Sequence, residues 1–338
     1  MKKALIIGPL FFGYSKSVTR AFGQAGYEVA TMEWVEGGVE NIKEKIGFNL
    51  AADKHTFFEK KELAFNRKVV EKYHVFKPDI VFVIRGSVLN RETLLVMQRS
   101  VMILWMMDSI FLVEKTLRNI DMYKHIFLFE RQDIPALKQQ YNIDAHFLPL
   151  ALDESVYYPV ENKHKPIDIL FVGALYEDRI KLLRKIAEQF KDKNIKIYGI
   201  YFSKLRNLKR FFFRKDKKIF VNKTMQPDQL NIKYSEAKLC INIHHKQSVY
   251  GVNQRFFELS GAKALQLCDR RGFIEDNFTA DQVLLYDSEE HLFVLLQKIL
   301  ADHLAYEKMK NNIYDEVLAK HTFLYRIKEV IKVCQLGS

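Results

Sequence analysis

The chain is poor in cysteine, proline and glycine, with 3, 7 and 14 of them in 338 residues. Cys240, Cys268 and Cys334 are scattered and odd in number. That argues against a disulfide framework and against a cysteine-based zinc site, and it fits a reducing cytoplasm. Two of the three sit in apolar, strand-like runs and read as small buried hydrophobes. No low-complexity or long disordered segment is present, and no short-period repeat. No apolar run approaches the length of a membrane-spanning helix. Met1–Ile7 is basic and then apolar, but the run stops at Gly8-Pro9, too short for a signal peptide. A GxGxxG fingerprint is missing too, and no acidic residue closes the second apolar run, Glu33 coming nearest. This weakens a dinucleotide site in the first half. No DxD-like pair stands out as a metal site.

What is there is a basic, well-packed globular chain. Hydrophobic residues make up 48% and aromatics 13%, with a formal net charge of +12. A positive excess of that size suggests an anionic partner: a nucleotide, a nucleic acid or an acidic membrane surface. The length exceeds one typical core and predicts two domains.

The pattern of short apolar runs alternating with amphipathic ones predicts a doubly wound α/β sheet in each half. Strands are expected at Ala4–Ile7, Glu28–Met32, Asp79–Ile84, Val101–Trp105 and Ile126–Phe129. Helices are expected at Ser15–Ala25, Thr56–His74 and Arg131–Tyr141. Pro149, Pro159 and Pro166 bracket a polar stretch, Asp153 to Lys165, that reads as a linker. The alternation then restarts. Strands are expected at Asp168–Val172, Lys196–Tyr198, Leu239–Ile243, Ala264–Leu267 and Val283–Leu285. Helices are expected at Glu177–Phe190, Gln226–Ala237 and Asn253–Lys263, and the remainder from Ser288 is mostly helical. Ligands of such sheets bind beyond the carboxyl ends of the strands, which between two such domains means a cleft.

Several segments can carry chemistry. Asn253 is a good helix N-cap, which places Arg255 in the first turn and Glu258 three residues on. A helix start favours an anion, an arginine fork fits phosphate, and a carboxylate can accept hydrogen bonds from a ribose diol. The alternative is a capped amphipathic helix with a surface Arg–Glu pair. Gly173 permits a tight turn after a strand, and Arg179 lies in the first turns of the helix beyond it; together they could hold a phosphate, or form a plain strand–turn–helix with a solvated arginine. Gly8-Pro9-Leu10-Phe11-Phe12-Gly13 could approach a ligand, or be an apolar βα turn. Asp108, closing the strand before Ser109, could serve as a general base on an acceptor hydroxyl or as an N-cap. His244-His245 lacks a third ligand for zinc. Ser203 to Phe220 mixes dense Lys and Arg with three consecutive phenylalanines. It suits an anionic membrane surface, a nucleic-acid strand, or a surface helix with its rings turned inward.

With these pieces placed, the second half resembles the nucleotide-sugar-binding domain of GT-B glycosyltransferases of the group-1 type, related to spore-maturation glycosyltransferase-like proteins. The resembling segments run in order FVGALYEDR, KIYG, YSEAKLCINIH, GVNQRFFELSGAKALQLCDR, GFIEDNF, LLYDSEEHL and a helical tail ending in HTFLYR. They span Ile167 to Ile331. The first half resembles the family in character only, through the strand ending WMMDS. The resemblance implies two Rossmann-like domains, at 1–155 and 156–320, with the helix of 321–338 returning to the first. It implies that Gly173 and Arg179 face the phosphates, that Asn253 and Arg255 face the diphosphate or sugar, and that Tyr198 of KIYG lies in the same site. Glu258 matches the family glutamate that holds the ribose. Tyr250 stands where a second family glutamate is common. Gly8 and Gly13 fall on the acceptor side. Neither a metal nor a cofactor is implied beyond the donor itself.

The expected function is transfer of a sugar from a nucleotide diphosphate donor to a hydroxyl acceptor, a lipid-linked or cell-surface glycan. The location is cytoplasmic, with anionic membrane contact through Ser203 to Phe220. Two rivals follow from the same residues: a Rossmann-type oxidoreductase, and a nonenzymatic basic binder of membrane or nucleic acid.

Overall fold

The computed structural model describes residues 1–10, 13–35, 53–162, 164–202 and 218–337. The expected membrane segment, Ser203 to Phe220, lies outside the described residues except for its last three. The chain divides into two compact units, Met1–Leu150 with Phe323–Ser338, and Ala151–Thr322.

The first unit is built on six parallel strands: β1 (Lys3–Pro9), β2 (Glu28–Trp34), β3 (Ile80–Ile84), β4 (Val101–Met106), β5 (His125–Leu128) and β6 (His146–Phe147). Their order is β2-β1-β3-β4-β5-β6, so the winding reverses between β1 and β3. β3 is Ile-Val-Phe-Val-Ile and buried at every position, as a strand covered on both faces must be. Helix Tyr14–Gln24 starts behind Gly13, whose φ of 71° is left-handed. Helix Lys54–Phe76 starts under Asp53, whose carboxylate accepts the His55 and Thr56 N–H groups, and stops at Lys77 ahead of Pro78. The last helix, Phe323–Val333, belongs to this unit. Phe323 packs with its ring centroid 5.9 Å from that of Trp105 and 6.5 Å from that of Tyr14. Arg326 Nε donates to the Pro149 carbonyl at 3.1 Å, and the Tyr27 hydroxyl donates to the Leu336 carbonyl at 3.1 Å.

The second unit repeats the plan with β7 (Ile167–Val172), β8 (Ile195–Gly199), β9 (Phe220–Asn222), β10 (Ala237–Asn242), β11 (Gln266–Asp269) and β12 (Leu284–Tyr286), all parallel. The order β12-β11-β10-β7-β8-β9 puts the reversal between β7 and β10. Helices Glu177–Gln189, Pro227–Ser235, Gln254–Gly261, Gly272–Asn277, Glu289–Ala301 and Glu307–Lys320 complete it. No helix among the described residues is long and apolar enough to cross a membrane.

Most element ends differ from expectation by one or two residues, and three of these shifts have a visible cause. The helix expected to run to Ala237 stops at Ser235, because Ala237 already pairs with Ile167. The helix expected to reach Lys263 stops at Gly261, and Lys263 is left-handed with φ 51°. The next strand therefore begins at Gln266 rather than Ala264. The short strands β6 and β9 were not expected. Two and three residues long, they carry too little alternation to register in sequence.

Phe323 is almost wholly buried. Phe323→Ala should cost about 3–5 kcal/mol, read as a lower urea midpoint by tryptophan fluorescence, since Trp105 is its neighbour. A midpoint equal to wild type would show that the terminal helix contributes nothing to the first core.

Candidate functional site

Both reversals bring strand ends together where an open α/β sheet binds its ligands. In the second unit the β7 and β10 ends are joined by Arg179, the third residue of its helix. Nη1 donates to the Ala174 carbonyl at 2.9 Å and Nη2 to the Ile243 carbonyl at 2.8 Å. The guanidinium also lies 5.1 Å from the Tyr176 ring centroid. Burial lowers its pKa from the ordinary value, and it forms no ion pair with a carboxylate among the described residues. Asp178, next to it, is held by Lys246 at 2.6 Å. Arg179 is thus half-buried and not paired with a carboxylate. Its charge is held by carbonyl dipoles at the mouth of the sheet, with N–H donors to spare.

The turn beside it is equally constrained. The Gly173 N–H donates to the Tyr198 carbonyl at 3.0 Å. A Cβ on Gly199 would lie 2.3 Å from the Gly173 carbonyl oxygen and 2.9 Å from Leu175 Cγ. Only glycine lets β8 end so close to this loop. Tyr198, half-buried, is the preceding residue.

At the β10–β11 end, His244 is buried. Its backbone N–H and Nδ1 both meet Asp269 Oδ1, at 2.9 and 2.7 Å. Burial holds the imidazole pKa below its usual value. The neutral ring then donates from Nδ1, leaving Nε2 as an acceptor; Nε2 has no partner. Burial opposes the charge on Asp269, but the His244 hydrogen bonds and Arg271, 2.5 Å away, lower its pKa on balance.

Asn253 caps the next helix as expected, accepting the Phe256 N–H at 3.1 Å, while its Nδ2 donates to Asn242 Oδ1 at 2.8 Å. Arg255 and Glu258 share a helical face but not the surface. Their side chains are only 18% and 6% exposed, and they pair with one another and with the Tyr234 hydroxyl. Burial works against the charge on Arg255, yet Glu258 and Tyr234 outweigh it and raise its pKa. A surface pair is therefore the wrong picture, and so is a guanidinium open to a phosphate. Tyr250 is also engaged: its hydroxyl donates to Asp276 Oδ2 at 2.7 Å, and its ring fills the space where a Cβ on Gly272 would lie 2.6 Å away.

In the first unit, Gly8 is the last residue but one of β1, where a Cβ would lie 2.4 Å from Ser15 Oγ, which itself donates to the Pro9 carbonyl at 3.0 Å. Gly8 and Gly13 thus shape the turn between β1 and its helix. Asp108 follows β4, with Oδ2 3.2 Å from Arg85 Nη1 at the end of β3. Neither Asp108 nor Ser109 acts as a side-chain cap, because the Ile110 N–H donates to Asp133 Oδ2 at 3.1 Å. Sequence reasoning missed Arg85, whose left-handed φ of 66° before Gly86 puts two positive-φ residues in a row. It also missed Gly199, Tyr234 and the Asp269 partner of His244. Among the described residues no cluster of His, Cys, Asp and Glu could hold a metal ion.

Removing one partner of a buried ion pair leaves the other charge uncompensated. Glu258→Ala should therefore cost about 3–5 kcal/mol, and Arg255→Met with Glu258→Leu should recover most of it. Chemical denaturation of the three proteins decides this. If Glu258→Ala alone matches wild type, the pair is not the buried support described.

Residues 179–332 match the family model described as glycosyl transferase-like. A comparison with curated proteins gave no match. Among solved structures, sucrose-phosphate synthase from Thermosynechococcus elongatus superposes with a TM-score of 0.70 at 12% identity, covering 100% of both chains. The HepE protein of Anabaena, in complex with UDP and glucose, gives 0.65 at 9% identity, covering 99% of this chain and 100% of that one. A putative UDP-N-acetylglucosamine 2-epimerase from Listeria monocytogenes gives 0.58 at 11% identity, covering 100% and 98%. Identities this low establish the fold alone. The chain has the two-domain GT-B fold, and within it residues 179–332, most of the second unit, match the glycosyl transferase-like family model.

Proposed function

We propose that the second unit holds the diphosphate of a nucleotide-sugar donor against Arg179, between the carboxyl ends of β7 and β10. The observation that carries this is a guanidinium without a carboxylate partner, tied to the Ala174 and Ile243 carbonyls at the reversal of the sheet. A diphosphate arriving there would supply the missing anion. Gly173 and Tyr198, joined by the Gly173 N–H to Tyr198 carbonyl bond, are assigned to the same mouth. The start of the Gln254–Gly261 helix adds N–H groups and a positive dipole end. Arg255 and Glu258 act beneath that helix as positioning residues. The UDP and glucose bound by the structurally similar HepE protein support a nucleotide hexose as donor.

With Arg179 and a helix end to stabilise the leaving diphosphate, the transfer we propose needs no metal. The acceptor is a hydroxyl of a glycan or lipid-linked glycan, on the side of the first unit that holds Gly8 and Gly13. Asp108 is the base we assign, with Arg85 fixing its carboxylate. A cytoplasmic location, at an anionic membrane face reached through Ser203 to Phe220, completes the reading. The basic composition of that segment supports it.

Thermal-shift screening against UDP, GDP, ADP and CMP should find one nucleotide that stabilises the chain by mass action. Arg179→Ala should weaken that nucleotide by about 1.5–3 kcal/mol, the worth of charged hydrogen bonds, and lower turnover on varied donor. If the variant binds the nucleotide as wild type does, the diphosphate lies elsewhere.

A further inference from the structure

A second cluster of cations lies at the opposite, amino-terminal end of the same sheet. Lys165 precedes β7, and Lys238 is the second residue of β10. A strand of six residues rises about 20 Å, so this end is remote from Arg179. The two lysines line a cavity of about 520 Å³ together with Lys263, Lys310, His303 and Glu307. That volume lies within the range of small-molecule sites.

The cations there are only partly neutralised. Lys165 Nζ donates to the Ser235 and Ala237 carbonyls at 3.0 and 3.2 Å and pairs with no carboxylate among the described residues. Lys238 meets Asp168 at 2.7 Å, and Lys310 meets Glu307 at 2.5 Å. Lys263 donates to Asn311 Oδ1 at 3.0 Å and stands 4.4 Å from the Tyr314 ring centroid. Each ammonium has three N–H donors, and these contacts use at most two. Glu161 is the only other carboxylate in the lining, so with Asp168 counted four lysines face three carboxylates. His303 responds to the field: burial first, then Lys238 and Lys165, lower its pKa. Val160 and Leu304 give the cavity an apolar wall.

We propose that this cavity is a second anion site, distinct from the donor site, that takes a phosphate-bearing ligand. The phosphate oxygens would accept from Lys165, Lys238 and Lys310, and the rest of the ligand would lie along Val160 and Leu304. Carboxylates are poorer occupants, since a phosphate offers more acceptor oxygens and more charge to several ammonium groups at once. The phosphate can belong to a soluble molecule or to a phospholipid headgroup.

Two arms separate these sources, both on the full chain. In the first, pyrophosphate is titrated calorimetrically with the donor site saturated by the nucleotide from the thermal-shift screen. In the second, vesicles of phosphatidic acid in phosphatidylcholine are sedimented with the protein. Binding in either arm should weaken at least tenfold in Lys238→Gln/Lys310→Gln and stay within twofold in Arg179→Ala. Both variants are first checked for wild-type melting. Should the double variant not fold, the single variants Lys238→Gln and Lys310→Gln replace it, with weakening expected in each. The His303 Cε1–H resonance of wild type should titrate at higher pH once pyrophosphate is bound. Binding in neither arm, or equal binding by wild type and the lysine variant, overturns the proposal. Pyrophosphate that binds only when the donor site is empty does so too, while leaving the Arg179 assignment standing.

Discussion

The second unit depends on β7 and β10 lying side by side, a pairing the chain makes only after β8 and β9 have gone to the other edge. Parallel pairing across such a crossover is slow to form and leaves two strand ends splayed by their loops. Arg179 closes that gap by donating to a carbonyl on each side. Gly199 permits it from below, because any side chain there would push the Gly173 carbonyl away. The side chain that joins the strands is therefore also the cation at the carboxyl end of the sheet, where we propose the donor binds.

Charge inside the unit is handled differently a short distance away. Arg255 and Glu258 are buried and satisfied by each other and by Tyr234. Burying an ion pair gains little stability against a well-packed apolar alternative, but breaking one is costly. The pair thus fixes one orientation of the Gln254–Gly261 helix, and with it the direction of the helix start that Asn253 caps. Arg179 contrasts with this arrangement: it is held by neutral dipoles, so its charge is still available.

The architecture was readable because it rests on local signals. Val81, Phe82 and Val83 make an uninterrupted apolar run between Lys77-Pro78 and Arg85-Gly86, and Asp168–Val172 repeats the device. Asn253 as a cap rests on a short-range rule and holds in the structure. The site was less readable, because burial is decided by partners distant in sequence. Nothing near Glu258 announces that Tyr234 will sit over it, and nothing near His244 names Asp269. Spacing alone put Arg255 and Glu258 on one face, which is correct, but could not say that the face turns inward. Nothing in the sequence singles out Gly199; its necessity appears only when β8 meets the loop after β7.

Two cations of the second unit sit at opposite ends of its sheet. In a doubly wound sheet, helices start above the carboxyl ends of the strands and finish near their amino ends. Cations at the amino end therefore first serve the helix carbonyls. Lys165 does so at the end of the Pro227–Ser235 helix, where it takes the Ser235 carbonyl. A carbonyl, unlike a carboxylate, orients an ammonium without cancelling its charge. Arg179 meets the same condition at the other end of the sheet through Ala174 and Ile243. One unit thus holds two cations by the same physical means, each desolvated enough to lower its pKa and each short of a counter-ion. A desolvated cation without a counter-ion is costly to maintain, and an anion brought to either position would relieve that cost.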